Sequence, residues 1–184
     1  MTGASSSEFR RWAARVAHHL LNNGIEVVLT GGACVSIYSH NRYASLDLDF
    51  VTMTTVHPRL MVAVLARGGF RKEGRVFVHP ECPFAVDILA PPLSIGAEPV
   101  RKTATLTVRR MKMKLLTPTD SVKDRLAAYY YWNDLQALEQ ALLICRHQLV
   151  HLASVRRWSD AEGHLDKFRE FRKTFMSDPK TRKR

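Results

Sequence analysis

Two aspartates, Asp47 and Asp49, lie two apart in residues 46–52 (LDLDFVT). In an extended strand, positions i and i+2 leave the same face with Cα atoms roughly 7 Å apart. Carboxylates side by side repel one another unless a cation lies between them. Mg²⁺ (or Mn²⁺) suits carboxylate and phosphate oxygens. Two such ions about 4 Å apart clamp the attacking and leaving oxygens of a phosphoryl transfer. Alone, an Asp-x-Asp pair equally describes a solvated strand. A third acid, Asp87, interrupts the apolar run 84–89 (FAVDIL). A buried unpaired carboxylate is costly. Asp87 therefore requires either a salt bridge to an Arg or Lys, or a place as third metal ligand on a strand beside residues 46–52.

Gly31 and Gly32 supply the complementary half. They follow a β-branched run, residues 25–30 (IEVVLT), and precede a short helical stretch at 33–39. Glycines at such a junction let backbone N–H groups approach a phosphate at a helix N-terminus. No Gly-Lys-Ser/Thr follows, which excludes the P-loop. Arg42, in the polar loop 40–45, is a candidate to reach a phosphate, with a solvated arginine the plain alternative.

The elements that must position these groups follow from periodicity. Ser5 to Glu8 has capping-box spacing. The next run places Phe9, Trp12, Ala13, Val16, Leu20 and Leu21 near one helical face and ends at Asn22-Asn23-Gly24. Strands are expected at 25–30 and 46–52, the latter with Leu46, Leu48 and Phe50 pointing one way and Asp47 and Asp49 the other. A helix over 56–67 ends at Gly68-Gly69. A strand pair within 70–78 turns near Glu73-Gly74, strand 84–89 follows, and Ala90-Pro91-Pro92 marks a break. Residues 103–116 supply one or two more strands. Thr117-Pro118-Thr119-Asp120 starts a helix over 118–132, with Pro at the first turn and an acid near the N-terminus. Helices over 134–149 and 159–175 complete the chain. Tyr129-Tyr130-Tyr131-Trp132 reads as core packing, with base stacking the alternative. The order predicts an α+β fold: a small mixed sheet flanked by helices, with a C-terminal helical part. The divisions expected are a core at 1–116, helices packed on it at 117–175, and a basic tail at 176–184.

Composition narrows the function classes. Of 184 residues, 46% are apolar, as in an ordinary globular core. No apolar window reaches membrane-span length. Residues 1–9 are polar and lack the apolar stretch of a secretory signal, so a cytoplasmic protein is expected. Cys34, Cys82 and Cys145 lie far apart, with no zinc spacing, and read as reduced. Lys and Arg number 28 against 17 Asp and Glu, a net +11. The excess is clustered in Arg101, Lys102, Arg109, Arg110, Lys112 and Lys114, and again in the tail ending Lys180-Thr181-Arg182-Lys183-Arg184. Such stretches attract phosphates, and nucleic acid is the natural partner class; a solvated face is the alternative.

Leu29-Thr30-Gly31-Gly32-Ala33-Cys34-Val35-Ser36-Ile37-Tyr38, followed by Arg42-Tyr43-Ala44-Ser45-Leu46-Asp47-Leu48-Asp49-Phe50, resembles the first motif of nucleotidyltransferase-fold (polymerase-β-like) proteins. It most resembles the AbiEii toxins and the related MenT-type toxins. A second stretch, from Leu116-Thr117-Pro118-Thr119-Asp120-Ser121-Val122-Lys123 to Trp132-Asn133-Asp134, resembles the same group. The resemblance covers about residues 25–143. It implies that Asp47 and Asp49 hold metal, and that Asp87 completes the metal site and helps deprotonate an acceptor hydroxyl. It implies that Gly31 and Gly32 cradle an NTP with Ser36 assisting from the helix, an ordinary helix serine being the alternative, and that Lys123 neutralises triphosphate charge. Asp134 matches a late aspartate of the group. Many relatives carry Gly-Ser where this chain has Gly31-Gly32, and an Arg or Lys where Asn133 stands. The function implied is transfer of a nucleoside monophosphate to an acceptor hydroxyl. RNA, with a tRNA 3′ end first, is the expected acceptor, and a toxin paired with an antitoxin the expected role. The alternatives are nucleotidylation of a protein, a small-molecule acceptor, and a non-catalytic nucleic-acid- or partner-binding module on the same fold.

Overall fold

In the computed structural model, which describes residues 5–177, helix α1 (Ser6–Asn22) opens the chain. The Ser5 hydroxyl caps it by accepting the Glu8 N–H at 3.2 Å. Strand β1 (Val27–Leu29) leads directly into α2 (Gly31–Tyr38), and β2 (Asp47–Thr52) follows the loop. Next come α3 (Pro58–Arg67), the hairpin β3 (Arg71–Glu73) and β4 (Val76–His79), and the long strand β5 (Cys82–Leu89). A two-stranded hairpin, β6 (Ser94–Ile95) and β7 (Glu98–Pro99), follows the break at Ala90-Pro91-Pro92, in a stretch where no element is expected. The hairpin β8 (Thr103–Val108) and β9 (Met111–Leu116) completes the strands. Four helices close the described chain: α4 (Pro118–Trp132), α5 (Leu135–His147), α6 (Leu152–Ala161) and α7 (Leu165–Ser177).

Seven strands form one mixed sheet in the order β3-β4-β5-β2-β1-β9-β8. Two pairings are parallel, β2 with β5 and β1 with β9; the others are antiparallel. The apolar face of α1 covers one side. Phe9 meets Phe84 of β5 edge-on, with ring centroids 4.9 Å apart, and Trp12 meets Phe70. Leu48 and Phe50 of β2 and Val86 of β5 are fully buried there. All eight residues of α2 are buried, as its apolar sequence GGACVSIY requires. The C-terminal helices are tied to the sheet by long-range bonds. The Tyr38 hydroxyl donates to the Leu116 carbonyl at 2.6 Å, and the Trp158 indole donates to the Ile95 carbonyl at 3.1 Å.

The α+β expectation holds, with local differences. Leu46 precedes the strand and is 76% exposed, so only Leu48 and Phe50 point into the core. The single helix expected over 159–175 is two, because Gly163 adopts φ +76° and breaks the run. Helix α7 extends to Ser177, two residues into the segment expected as tail; the remainder of that tail lies outside the described residues. The aromatic run divides: Tyr129 and Tyr130 are core, Tyr131 is half-exposed, and Trp132 is 77% exposed.

All three cysteines are free and buried. Burial pushes the Cys34 and Cys145 thiols up to about 12, and Cys82 in the same direction. A thiol reagent at pH 8 should therefore leave the native protein unmodified over the time in which the denatured protein titrates at all three. A cysteine reacting in the native state at the denatured rate contradicts this packing.

Candidate active site

The parallel pairing of β2 with β5 sets Asp49 directly opposite Asp87, and Asp47 opposite Ala85. Paired strands lie about 4.8 Å apart, and alternation places the three acids on one face of the sheet. Asp47 is exposed, Asp49 half-buried and Asp87 buried. Their fields overlap. The Asp49 carboxyl is pushed up to about 6, first by burial and then by the charges of Asp47 and Asp87. Among the described residues no three His, Cys, Asp or Glu side chains form a ready-made metal cage. The acids share a face without closing on one point, and Asp87 is held by Arg75 at 3.0 Å. The donor set nonetheless fits a hard divalent cation: every donor is a carboxylate oxygen, and the mutual repulsion that raises Asp49 is what such an ion relieves.

Gly31 is fitted to Asp49. It opens α2 with φ +62°, and a Cβ at that position would lie 2.6 Å from Asp49 Oδ2. The preceding residue fixes the junction. The Thr30 N–H donates to the Asp49 carbonyl at 2.9 Å, and its hydroxyl donates to the same oxygen at 3.3 Å. Gly32 serves a different contact. Its missing Cβ leaves room for Ser45 and the Tyr43 ring, which would lie 3.2–3.3 Å away. Ser36 is likewise turned inward. Its hydroxyl accepts the Ser45 N–H at 2.8 Å and donates to the Gly32 carbonyl at 3.4 Å. It therefore ties down the loop that feeds β2, and its buried position replaces the assisting role expected at the phosphates. Arg42 is exposed on that loop.

The α4 residues divide differently from the sequence reading. Lys123 is buried, and its ammonium meets Glu98 at 2.5 Å and Asp120 at 3.5 Å. It lines a polar cavity of about 470 Å³ together with Arg101, Lys102 and Arg157; the three aspartates are not among its walls. The α4 charges that act on Asp49 are those of Arg125, which lowers its pKa, and Asp124, which raises it. Arg125 is bound to Asp124 at 2.7 Å and to Gln140 at 3.3 Å. Residues two apart on a helix point about 200° apart, so Lys123 and Arg125 cannot serve one point equally. Asp134 is the N-cap of α5, its carboxylate accepting the Ala137 N–H at 3.0 Å. Sequence reasoning missed Arg75, Asp124 and Arg125. The signals were Arg75 beside the expected turn at Glu73-Gly74, and the place of Asp124 and Arg125 directly after Lys123 within the second resembling stretch.

No family model matches the chain, and no curated protein matches it. Solved structures share its fold. An antigenic nucleotidyltransferase-like protein from Paracoccidioides brasiliensis aligns with a TM-score of 0.60 at 16% identity, over 76% of each chain. The antibiotic-resistance factor ANT(2'')-Ia aligns in two structures. Its solution structure gives a TM-score of 0.53 at 9% identity, over 95% of this chain and 94% of that one. Its complex with adenylyl-2''-tobramycin gives 0.51 at 10% identity, over 92% and 97%. The fold is therefore that of nucleotidyltransferases, and at these identities the likeness is one of fold.

Two outcomes follow for the metal-free protein. A carboxyl raised in the fold keeps its proton better folded than unfolded, so the fold loses stability as pH rises from about 4 through about 6. Asp49→Asn removes that loss. In EDTA it should gain about 1–2 kcal/mol over the parent chain at pH 8 and little at pH 4, by urea unfolding, after discount for partial exposure. No gain at pH 8 contradicts the crowding of charge. Gly31→Ala should cost about 1–3 kcal/mol in the same assay through its backbone strain and its clash with Asp49.

Proposed function

We propose that the chain is a Mg²⁺- or Mn²⁺-dependent nucleotidyltransferase that moves a nucleoside monophosphate from an NTP to an acceptor hydroxyl. The observation that carries this is the register of β2 and β5, which faces Asp49 with Asp87 and keeps Asp47 on the same side, against the glycine that opens α2. Asp47, Asp49 and Asp87 are the residues that would hold the metal. Bound there, a divalent cation would neutralise triphosphate charge and acidify the acceptor hydroxyl. The first-turn N–H groups of α2 have no helical acceptor, and at Gly31 they offer a phosphate both donors and the positive end of the helix dipole. Asp87, buried beside Asp49, is the group to draw the proton from the acceptor. Arg101, Lys102 and Arg157 would offer cations to phosphates of the nucleotide or acceptor, beside a Lys123 whose own charge is shared with Glu98 and Asp120.

RNA is the acceptor we favour, with a tRNA 3′ end first. The chain carries +11, and Arg101, Lys102, Arg109, Arg110, Lys112 and Lys114 are all exposed. The resemblance to AbiEii and MenT-type toxins extends this to a growth-inhibiting role in the cytoplasm, checked by a cognate antitoxin. ANT(2'')-Ia holds an adenylylated tobramycin, which motivates a small-molecule acceptor as second reading. The positive charge of this chain disfavours a polycation. Protein nucleotidylation, or a non-catalytic binding module, would keep the fold and lose the RNA product.

Labelled NTPs incubated with Mg²⁺, the protein and total tRNA should yield labelled RNA. Asp47→Ala, Asp49→Ala and Asp87→Ala should each lower the rate by at least about 100-fold. Label on protein or on tobramycin instead would move the acceptor. Absence of transfer from every NTP to every acceptor would sink the enzyme reading.

A further inference from the structure

Arg75 follows the β3–β4 turn, and its guanidinium reaches across to Asp87 at 3.0 Å. The two ends of this pair are unlike. The Arg75 side chain is 85% exposed and that of Asp87 9%. The guanidinium therefore leaves at little desolvation cost, whereas Asp87 left alone keeps a buried charge uncompensated. Asp87 therefore favours a cation beside it, and any second cation that enters competes with Arg75 for that place. We infer that Arg75 is a positioning residue that neutralises Asp87 until metal arrives, then yields the carboxylate and turns to the phosphates of the nucleotide or acceptor.

Three features support this exchange. Asp87 lies opposite Asp49, so a cation entering between them competes with Arg75 for the same carboxylate. Arg125, the other arginine acting on the cluster, is bound to Asp124 and Gln140 and so is less free to serve. Arg75 also shares the wall of an open cleft of about 200 Å³ with Lys72, so a released guanidinium stands beside a second cation. Its planar fork matches two phosphate oxygens, which a lysine ammonium does not. Loading of metal and of a phosphate ligand would thereby be coupled: each arrival frees a partner for the other.

The inference rests on the nucleotide-transfer reading, and the test separates the two. Mn²⁺ binding to the full chain is followed by electron paramagnetic resonance, first without nucleotide and then with a non-hydrolysable ATP analogue. Arg75→Ala should bind Mn²⁺ about two- to fivefold more tightly without nucleotide, the worth of one partly exposed charge pair. It should lose about tenfold in affinity for the analogue once Mn²⁺ is bound. Arg75→Lys should restore Mn²⁺ competition but not analogue binding. It also guards against misfolding of the alanine variant, since it keeps a charge opposite Asp87. A merely structural arginine would leave Mn²⁺ affinity unchanged or lower it, and either result overturns the exchange. If Mn²⁺ binding is lost in Asp49→Asn but unmoved in Arg75→Ala, the transfer reading stands and the exchange falls. If the parent chain binds no Mn²⁺, both fall.

Discussion

The parallel register of β2 against β5 is the constraint on which the rest of the molecule depends. Side chains alternate along a strand, so a slip by one residue would send Asp87 to the face where Phe84 and Val86 pack and lift those residues into water. The core therefore enforces the position of the acids. Parallel neighbours also need a crossover, and here it comprises α3 and the β3–β4 hairpin. That segment makes β4 the next strand beyond β5, which is how Arg75 comes within reach of Asp87. On the other side, β1 runs antiparallel to β2 with Leu29 opposite Phe50, and this registers Gly31 against Asp49.

The same arrangement gathers like charge where the fold gains nothing from it. Asp49 is held up to about 6 by burial and by two neighbouring acids. Arg125 offsets only part of that repulsion, while Arg75 is engaged by Asp87. The stabilising terms lie elsewhere: in the face covered by α1, in the wholly buried α2, and in the Tyr38 and Trp158 bonds that dock the C-terminal helices. Along β2 and β5 the side opposite α1 carries acids beside buried apolar residues such as Val28 and Val51, and a cation there would offset the charge that the acids gather.

How much of this was legible in the sequence depended on whether the signal was local. The alternation of LDLDFVT and the lone acid in FAVDIL are local, and they located β2, β5 and the acid face. The N-caps at Ser5 and Thr117 are local too, and both helices begin where those residues place them. What was not legible depends on partners distant in sequence. The role of Gly32 depends on Tyr43 and Ser45 folding back over it. The pairing of Lys123 with Glu98 depends on the β6–β7 hairpin, whose two-residue strands leave almost no periodicity to read. Arg75 meets Asp87 only through the pairing of β4 with β5, and that pairing contains a register shift. Gly163 was a local signal overlooked within a charged run that reads as one continuous helix.

Topology also bears on the size of the ligand. Strand β9 runs parallel to β1, with Leu115 opposite Leu29, one residue from the Thr30 that bonds Asp49. Its hairpin turn at Arg109-Arg110 lies five residues further back along the strand. At about 3.3 Å per residue that is roughly 17 Å, with β1 lying between β9 and the acids' own strand. The acids and the basic turn therefore stand at opposite ends of one sheet. A single nucleotide placed at Asp49 and Gly31, as proposed, would stop short of Arg109 and Arg110. The distance between the basic turn and the acids is thus set by the register of β9 on β1 and by the length of the β8–β9 hairpin, not by the net charge of the chain.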